Sequence, residues 1–450
     1  MNLKTVKNIY FLGIGGIGMS ALARYFNFEG KHIAGYDRTP SPLTKNLEAE
    51  GIIIHYDDSV EMIPKETELV IYTPAIPAEN TEFQYLKNSG ISMMKRSEIL
   101  GAISEDYFTI AIAGTHGKTT ITSMVAHILK HNGVAVNAFI GGIANNYNSN
   151  LVLSKNAEVM VVEADEFDRS FLTLHPDLAI ISSMDADHLD IYSTADYLKD
   201  SFFLFSEQIK TGGWLISQSN LDVAPGFKGK SISYSASSYA DYHANNIHIS
   251  QGRTKFAFLK ATDVQEEYSL SMPGTHNIEN ATAAIIACSI YGLSQEQIVE
   301  GIKTYTGVHR RFEFLIQSND TIFIDDYAHH PTEIKATLQA ARSLFPGKKI
   351  TGVFQPHLFS RTRDFMDDFA SSLSLLDELI LLDIYPAREK PIEGVTSEAL
   401  LAKVELEHKQ VCSKEHLVEQ INKDDIEVLI MMGAGDIDRL LDPVKTKLLC

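Results

Sequence analysis

The chain has 450 residues, 44% hydrophobic and 22% charged, with neither Gly nor Pro in excess. That is a globular composition, long enough for about three domains. A formal net charge of −19 repels polyphosphate backbones at long range, which sets nucleic acid aside as a partner. The cysteines Cys288, Cys412 and Cys450 form no CxxC pair, so neither a disulfide framework nor a thiolate zinc site is expected. No apolar run reaches the roughly 18 residues of a membrane helix. The start lacks the apolar core of a secretory leader, so a soluble cytoplasmic protein without membrane insertion is expected.

Strand and helix signals alternate along most of the chain, predicting an α/β fold with mainly parallel sheets. In the first segment, residues 1–105, the apolar run at Asn8 ends in a glycine cluster. A helical pattern through Met19, Leu22, Ala23 and Phe26 follows, then strands over residues 31–36 and 68–72. The second segment, 106–307, opens on the buried-strand run 107–113 and a helix to Lys130. Two further strands, 158–162 and 178–182, each run into acidic residues. From Gly213 to Leu270 shorter, polar-alternating strands predict an antiparallel appendage, and an Ala-rich helix, 281–291, follows. The third segment, 308–450, carries strands near 321–324, 349–354, 378–384 and 427–431 with helices between them.

Two glycine loops stand between a strand and a helix. Gly13, Gly15, Gly16 and Gly18 fit GxGxxG, and Asp37 ends the next strand. Such a loop suits a dinucleotide or any other diphosphate, including that of a UDP-sugar; tight helix–strand packing without a ligand also explains it. The second loop runs Gly114-Thr115-His116-Gly117-Lys118-Thr119-Thr120. Its backbone N–H groups suit nucleotide phosphates, Lys118 adds a mobile cation, and Thr119 offers a hydroxyl to Mg²⁺. A strict phosphate loop has glycine at position 112, where this chain has Ile112, so Gly114 is expected to make the turn.

Acidic residues follow the neighbouring strands. Glu163 directly ends one and is the best placed for Mg²⁺, whereas Asp165, Glu166 and Asp168 are each expected to be a solvated loop acid. His188, in Asp185-Ala-Asp-His-Leu-Asp190, suits a second metal, the orientation of an incoming amine, or a purely structural place. Asn277 and Asn280 lie three apart at a helix start, where they suit a purine edge or a helix cap. Arg310 and Arg311, then Asp325, Asp326, His329 and His330, then His357, Arg361 and Arg363, gather charges and imidazoles; in an acidic chain the paired arginines beside a domain boundary suggest an anion clamp, whereas surface salt bridges explain any one of the three groups but not easily all of them.

In this order the motifs GIGGIGMS, GTHGKTT, EADEFD, DHLD, HNIENA, HRRFE, DDYAHHPTE, QPH…SRTRD and GAGDI resemble the Mur ligases, ATP-dependent amide-forming enzymes of peptidoglycan precursor synthesis. The resemblance runs from Gly13 to Gly435. It implies three domains: an N-terminal Rossmann-like one for the UDP-sugar, a central P-loop ATPase-type parallel sheet with the antiparallel appendage, and a C-terminal Rossmann-like one. It also implies ATP, UDP-N-acetylmuramate and L-alanine as substrates, and two Mg²⁺ ions. Lys118 and Thr119 would serve the ATP phosphates and metal, with Glu163 and His188 completing the coordination. Asn277 and Asn280 would meet adenine, and Arg311 and Asp326 the phosphate and ribose. His329, His357 and Arg361 would lie on the substrate side, with Lys118, His188, Arg311 and Asp326 counted as catalytic. A monomer or weak homodimer is expected. The family's usual stretch QPHRYTRTRD has Leu358 and Phe359 here in place of Arg and Tyr, so one expected cationic contact is missing, and either Arg361 or Arg363 does more or the contact is dispensable. An NAD-dependent oxidoreductase explains the first glycine loop but not the second. A ligase adding a ready-made tripeptide to the same nucleotide sugar is the nearer rival.

Overall fold

The computed structural model describes residues 2–185, 192, 194–223, 227–250, 253–260, 263–387 and 389–450. They fold into two compact units, Met1–Tyr242 with Ala281–Tyr305, and His243–Asn280 with Thr306–Cys450. The architecture is mixed α/β with separate N-terminal, central and C-terminal sheets.

The first unit begins with β1 (Asn8–Leu12), β2 (His32–Tyr36), β3 (Ile53–His55), β4 (Leu69–Tyr72) and β5 (Ser92–Lys95), in the order β3-β2-β1-β4-β5. Every pair in it is parallel. Parallel strands need crossover helices on the faces, which is why β1 reads as a nearly continuous apolar run. Helix α1 (Ile17–Phe28) buries Met19, Leu22, Ala23 and Phe26, the predicted face. The carboxyl ends of β1 and β2 are adjacent, with Leu12 opposite Tyr36, and this brings Asp37 beside the first glycine loop.

The larger sheet of this unit contains β6 (Phe108–Ala113), β7 (Val136–Ala144), β8 (Ser149–Val152), β9 (Val159–Glu163), β10 (Leu178–Ile181), β11 (Trp214–Gln218) and β12 (Lys230–Ser235). Their order is β12-β11-β10-β6-β9-β7-β8. Strand β6 lies between β9 and β10, so the loop after it faces the acidic ends of both neighbours. Here one expectation is corrected: the strands from Gly213 onward are not all antiparallel. Strand β11 pairs parallel with β10, and β12 parallel with β11. Leu215 and Ile216 are buried, which is why β11 joins the main sheet rather than the appendage. The segments on either side of residue 105 share one hydrophobic core, in which Phe11, Leu22 and Tyr25 join Phe139, Met160 and Val162. Asn150 on β8 donates to the Ile17 carbonyl and accepts from Arg24, fixing α1 against this sheet.

In the second unit, β13 (Tyr242–Ser250), β14 (Arg253–Lys260) and β15 (Asp263–Leu270) are the appendage, with β14 and β15 antiparallel. Its main sheet comprises β16 (Glu313–Gln317), β17 (Ile322–Asp326), β18 (Ile350–Phe354), β19 (Glu378–Leu382), β20 (His408–Cys412) and β21 (Val428–Met432). The order is β16-β17-β21-β18-β19-β20, parallel except for β16. Asp326 and Phe354 both lie opposite Met432, so the loops after β17, β18 and β21 emerge at one edge. That edge is where open parallel sheets bind ligands.

Candidate functional site

The first glycine loop is closed by side chains from three directions. Gly15 N–H donates to Asp37 Oδ2 at 2.7 Å, and Gly13 N–H to the Tyr36 carbonyl at 2.8 Å. A Cβ at Gly15 would lie 2.7 Å from Thr44 Cγ2 and 2.8 Å from Asp37 Oδ2. At Gly18 it would lie 2.8 Å from the Arg96 guanidinium. Gly16 is different: its nearest neighbour would be 3.7 Å away, leaving room for a ligand to approach the backbone. Arg96 also stands 3.7 Å from Asp165, so one cation lies beside both the first loop and the acids after β9.

The second loop leaves β6 at Gly114 (φ +131°) and enters helix α2 (Lys118–His131) through Gly117 (φ +83°). Both angles lie where glycine has little steric cost. Ile112 is fully buried in β6 opposite Glu163, and Gly114 makes the turn that the missing glycine at 112 makes in the strict motif. Ser182 and Ser183, after β10, brace the loop. Ser183 Oγ accepts from His116 N–H at 2.7 Å and contacts Thr115 Oγ1 at 2.9 Å, while Ser182 Oγ donates to the His116 carbonyl. His116 Nε2 lies 3.1 Å from Asp185.

Lys118 donates to the Gly114 carbonyl at 2.6 Å and to Glu166 Oε1 and Oε2 at 2.9 and 2.7 Å. Burial opposes its charge, but Glu166, Asp165 and Glu163 outweigh burial and hold the ammonium above the usual lysine range. Glu166 is therefore not the solvated loop acid expected from sequence: it is 0% exposed and is the lysine's partner. Desolvating a carboxylate without a cation would cost several kcal/mol, which explains why the two are found together.

Glu163 ends β9 and accepts from Gly141 N–H at 2.9 Å, and Gly141 has no room for a Cβ because that carboxylate fills the space. The sequence reading passed over Gly141, and a glycine pair inside a strand was the available signal. Thr119 is buried in the first turn of α2. A hydroxyl and a carboxylate are hard oxygen donors of the kind Mg²⁺ takes alongside phosphate and water, so the residues fit the ion. No cluster of three or more His, Cys, Asp or Glu that could hold a metal occurs among the described residues. His188 lies outside the described residues.

In the second unit the predicted arginines, acids and imidazoles other than Arg363 make the following contacts. Arg310 Nε lies 3.2 Å from Asp325 Oδ2, and its Nη2 donates to the Gly433 carbonyl at 2.6 Å, joining the segment before β16 to the end of β17 and the loop after β21. Arg311 lies over the Tyr327 ring, 5.1 Å from its centroid, and 3.8 Å from Glu333. Both Asp326 oxygens accept backbone N–H groups, from Phe312 at 2.9 Å and Ala328 at 2.7 Å. Burial pushes its carboxyl up to about 6 although Arg311 and those N–H groups pull it down. Burial likewise raises Asp325 to about 7 against the pull of Arg310.

His329 Nδ1 is 3.2 Å from Glu333, and its ring stands edge-on to His357 at 6.1 Å. His357 stacks on Tyr385 and lies 3.4 Å from Arg361 Nη1. Arg361 is 6% exposed, whereas Arg363 pairs with Asp364 at the surface. Of the two cations left beside Leu358, Arg361 is thus the one that joins the histidines. Leu358 takes φ +72°, a conformation side chains rarely adopt. Glu333 and Tyr385 were missed in the sequence; Glu333 was detectable as the i+4 neighbour of His329 at a helix start. Asn277 donates to the Pro273 carbonyl at 2.7 Å and Asn280 to Asn277 at 3.3 Å, so the two amides form one buried pair.

The comparisons with known proteins agree with this architecture. Family profiles match in chain order: Mur ligase family, catalytic domain, over residues 8–108; Mur ligase middle domain over 112–288; and Mur ligase, glutamate ligase domain, over 310–437. A UDP-N-acetylmuramate–L-alanine ligase of Cytophaga hutchinsonii is 47% identical, covering 100% of this chain and 98% of its own. The same enzyme of Parabacteroides distasonis is 47% identical, covering 100% and 99%. The crystal structure of UDP-N-acetylmuramate-alanine ligase from Thermotoga maritima matches with a TM-score of 0.85 at 27% identity, over 99% of each chain. The chain belongs to the Mur ligase family. No described helix is long and apolar enough to cross a membrane.

Proposed function

We propose that the chain joins L-alanine to the carboxylate of UDP-N-acetylmuramate at the expense of ATP, in peptidoglycan precursor synthesis in the cytoplasm. The observation that carries the reading is Lys118 at the mouth of a strand–loop–helix turn, flanked by a strand-end carboxylate at Glu163, in a chain 47% identical along its full length to ligases of that specificity. The three segments 1–105, 106–307 and 308–450 are its working domains. Gly13, Gly15, Gly16 and Gly18 with Asp37 serve the UDP-sugar. Gly114 to Thr120 serve the ATP phosphates, Asn277 and Asn280 adenine, and Arg311 and Asp326 phosphate and ribose. His329, His357 and Arg361 serve the substrate side.

A carboxylate does not react with an amine directly, because oxide is too poor a leaving group. When the sugar's carboxylate oxygen bonds to the γ-phosphorus, the bond from that phosphorus to ADP breaks. The acyl phosphate then exchanges its C–O bond for a C–N bond to alanine, and phosphate leaves. Lys118 and Arg311 stabilise the negative charge carried through the transfer. Two Mg²⁺ ions, held with Thr119, Glu163 and His188, would neutralise phosphate charge. Alanine's amine has to shed a proton, and His188 or Asp326 would take it. The carboxyl of Asp326, pushed to about 6, is ionised at neutral pH and able to accept one.

The test is isotopic. UDP-N-acetylmuramate labelled with heavy oxygen in its carboxylate gives inorganic phosphate carrying one labelled oxygen per amide formed. Unlabelled phosphate beside normal product overturns the acyl-phosphate path. ADP release with each amino acid in turn, and with the tripeptide, tests the amine: strongest release with any amine other than L-alanine overturns that assignment.

A further inference from the structure

We infer that Glu166 is a positioning residue that holds Lys118 in reserve while the phosphate loop is empty and takes it back after phosphoryl transfer, so that this pair sets nucleotide affinity and product release. The inference rests on the proposal that Lys118 serves the ATP phosphates. An ammonium has three protons to donate. In the structure one is directed at the Gly114 carbonyl and the other two at the oxygens of Glu166. A phosphate oxygen can therefore be bound by Lys118 only in exchange for one of these partners.

The two sides of the pair differ in their freedom. Glu166 is 0% exposed, and its carbonyl accepts from Arg169 N–H at 2.9 Å and from the Tyr192 hydroxyl. Next to it, Asp165 accepts from Phe167 N–H at 3.1 Å and from Phe171 N–H at 3.0 Å. The glutamate is thus held by its backbone, whereas Lys118 ends a flexible four-carbon stem. Of the acids nearby, Glu163 accepts from Gly141 and Asp165 stands opposite Arg96. When phosphate arrives the lysine changes partner and Glu166 stays behind. When ADP is to leave, the waiting carboxylate competes for the same ammonium. A buried pair with a merely structural role behaves differently, because breaking it loosens the loop and weakens every ligand.

The full chain and its Glu166→Gln variant are titrated with ADP by calorimetry, and ADP dissociation is followed by stopped flow. Removing the competing charge should tighten ADP binding on the order of tenfold, the scale of a charged hydrogen bond. Dissociation should slow in proportion, with turnover falling while the single-turnover yield of phosphate persists. Glu166→Asp, which keeps the charge on a shorter arm, should fall between the variant and the parent. If the Gln variant does not fold, the Asp variant decides, and its ADP binding must still be tighter than the parent's. ADP binding that is unchanged or weaker in the folded variant overturns the role. If the parent binds ADP but forms no amide from UDP-N-acetylmuramate and L-alanine, the ligase reading fails and the Glu166 role is judged separately.

Discussion

The two glycine loops of the first unit have the same local design, a buried parallel strand, a glycine turn and a helix, yet they are filled in different ways. Around Gly15 a carboxylate, Asp37, accepts from the loop's own backbone. Around Gly114 the backbone is held by serine hydroxyls, and the carboxylate Glu166 goes to a lysine instead. The first loop has no lysine among Gly13–Gly18, and the second carries one at the first position of its helix. The comparison teaches that strand–turn–helix geometry makes a place for phosphate, while the residues brought to it from other strands decide whether the phosphate is held or transferred.

The largest effect expected from this contrast is at Lys118. Lys118→Ala should lower turnover by on the order of 10³-fold or more, because the lost charge acts on the transferred group. Affinity for UDP-N-acetylmuramate, measured by calorimetry, should scarcely change; near-normal turnover would remove the distinction between the loops.

Replacing one glycine in each loop sharpens the comparison. Gly114 combines φ +131° with no room for a Cβ against Ser182, so Gly114→Ala should shift the loop and reduce kcat about 10²-fold, as misplacing reacting groups by about 1 Å does. Gly16 has an ordinary φ of −67°, and a Cβ there would meet its neighbours only at ordinary contact distances of 3.7 Å or more, so Gly16→Ala should melt like the parent. Its steady-state KM for UDP-N-acetylmuramate should rise several-fold while the KM for ATP stays put. An unchanged sugar KM would argue that no ligand approaches that backbone.

Gly141→Ala tests the metal side of the second loop by pushing on the Glu163 carboxylate. The Mg²⁺ concentration for half-maximal activity should rise about tenfold, as when a ligand loses its supporting contact. Equal Mg²⁺ titration curves for variant and parent would free Glu163 from that role.

The smallest effect lies in the second unit. Its buried acids Asp325 and Asp326 titrate at about 7 and about 6, above the usual carboxylate value of roughly 4. A carboxyl raised on folding favours its protonated form. Its stabilising contribution is therefore complete below pH of about 4 and is lost as pH rises through 6 to 7. Asp325→Asn stays neutral, so its melting temperature relative to the parent should climb between pH 4 and 8, by on the order of a few °C. A flat difference would show that the Arg310 pairing, not burial, governs this acid.

Much of this was legible along the chain because it is local. The apolar runs that became β1, β6, β10, β17, β18 and β21 are buried on both faces, and such strands announce themselves without reference to their neighbours. The glycine loops were readable for the same reason, since a sharp turn between strand and helix needs glycine wherever it occurs. Short edge strands such as β3 and β5 were missed because their residues are only partly buried and carry no steady period. Strand β11 was put in the appendage because a polar alternation does not say which neighbour a strand will choose.

What the sequence by itself determined is the order of the layers, the two loops and the candidate residues that follow each strand, all set by spacing over a few residues. Only the tertiary structure decided the pairings: Glu166 with Lys118 across 48 positions, Gly141 with Glu163 across 22, and Arg310 with Gly433 across 123. The reason is physical. A charge or an N–H group inside the protein has to find a partner, but sheet order, not sequence distance, determines which strand ends are near enough to supply it.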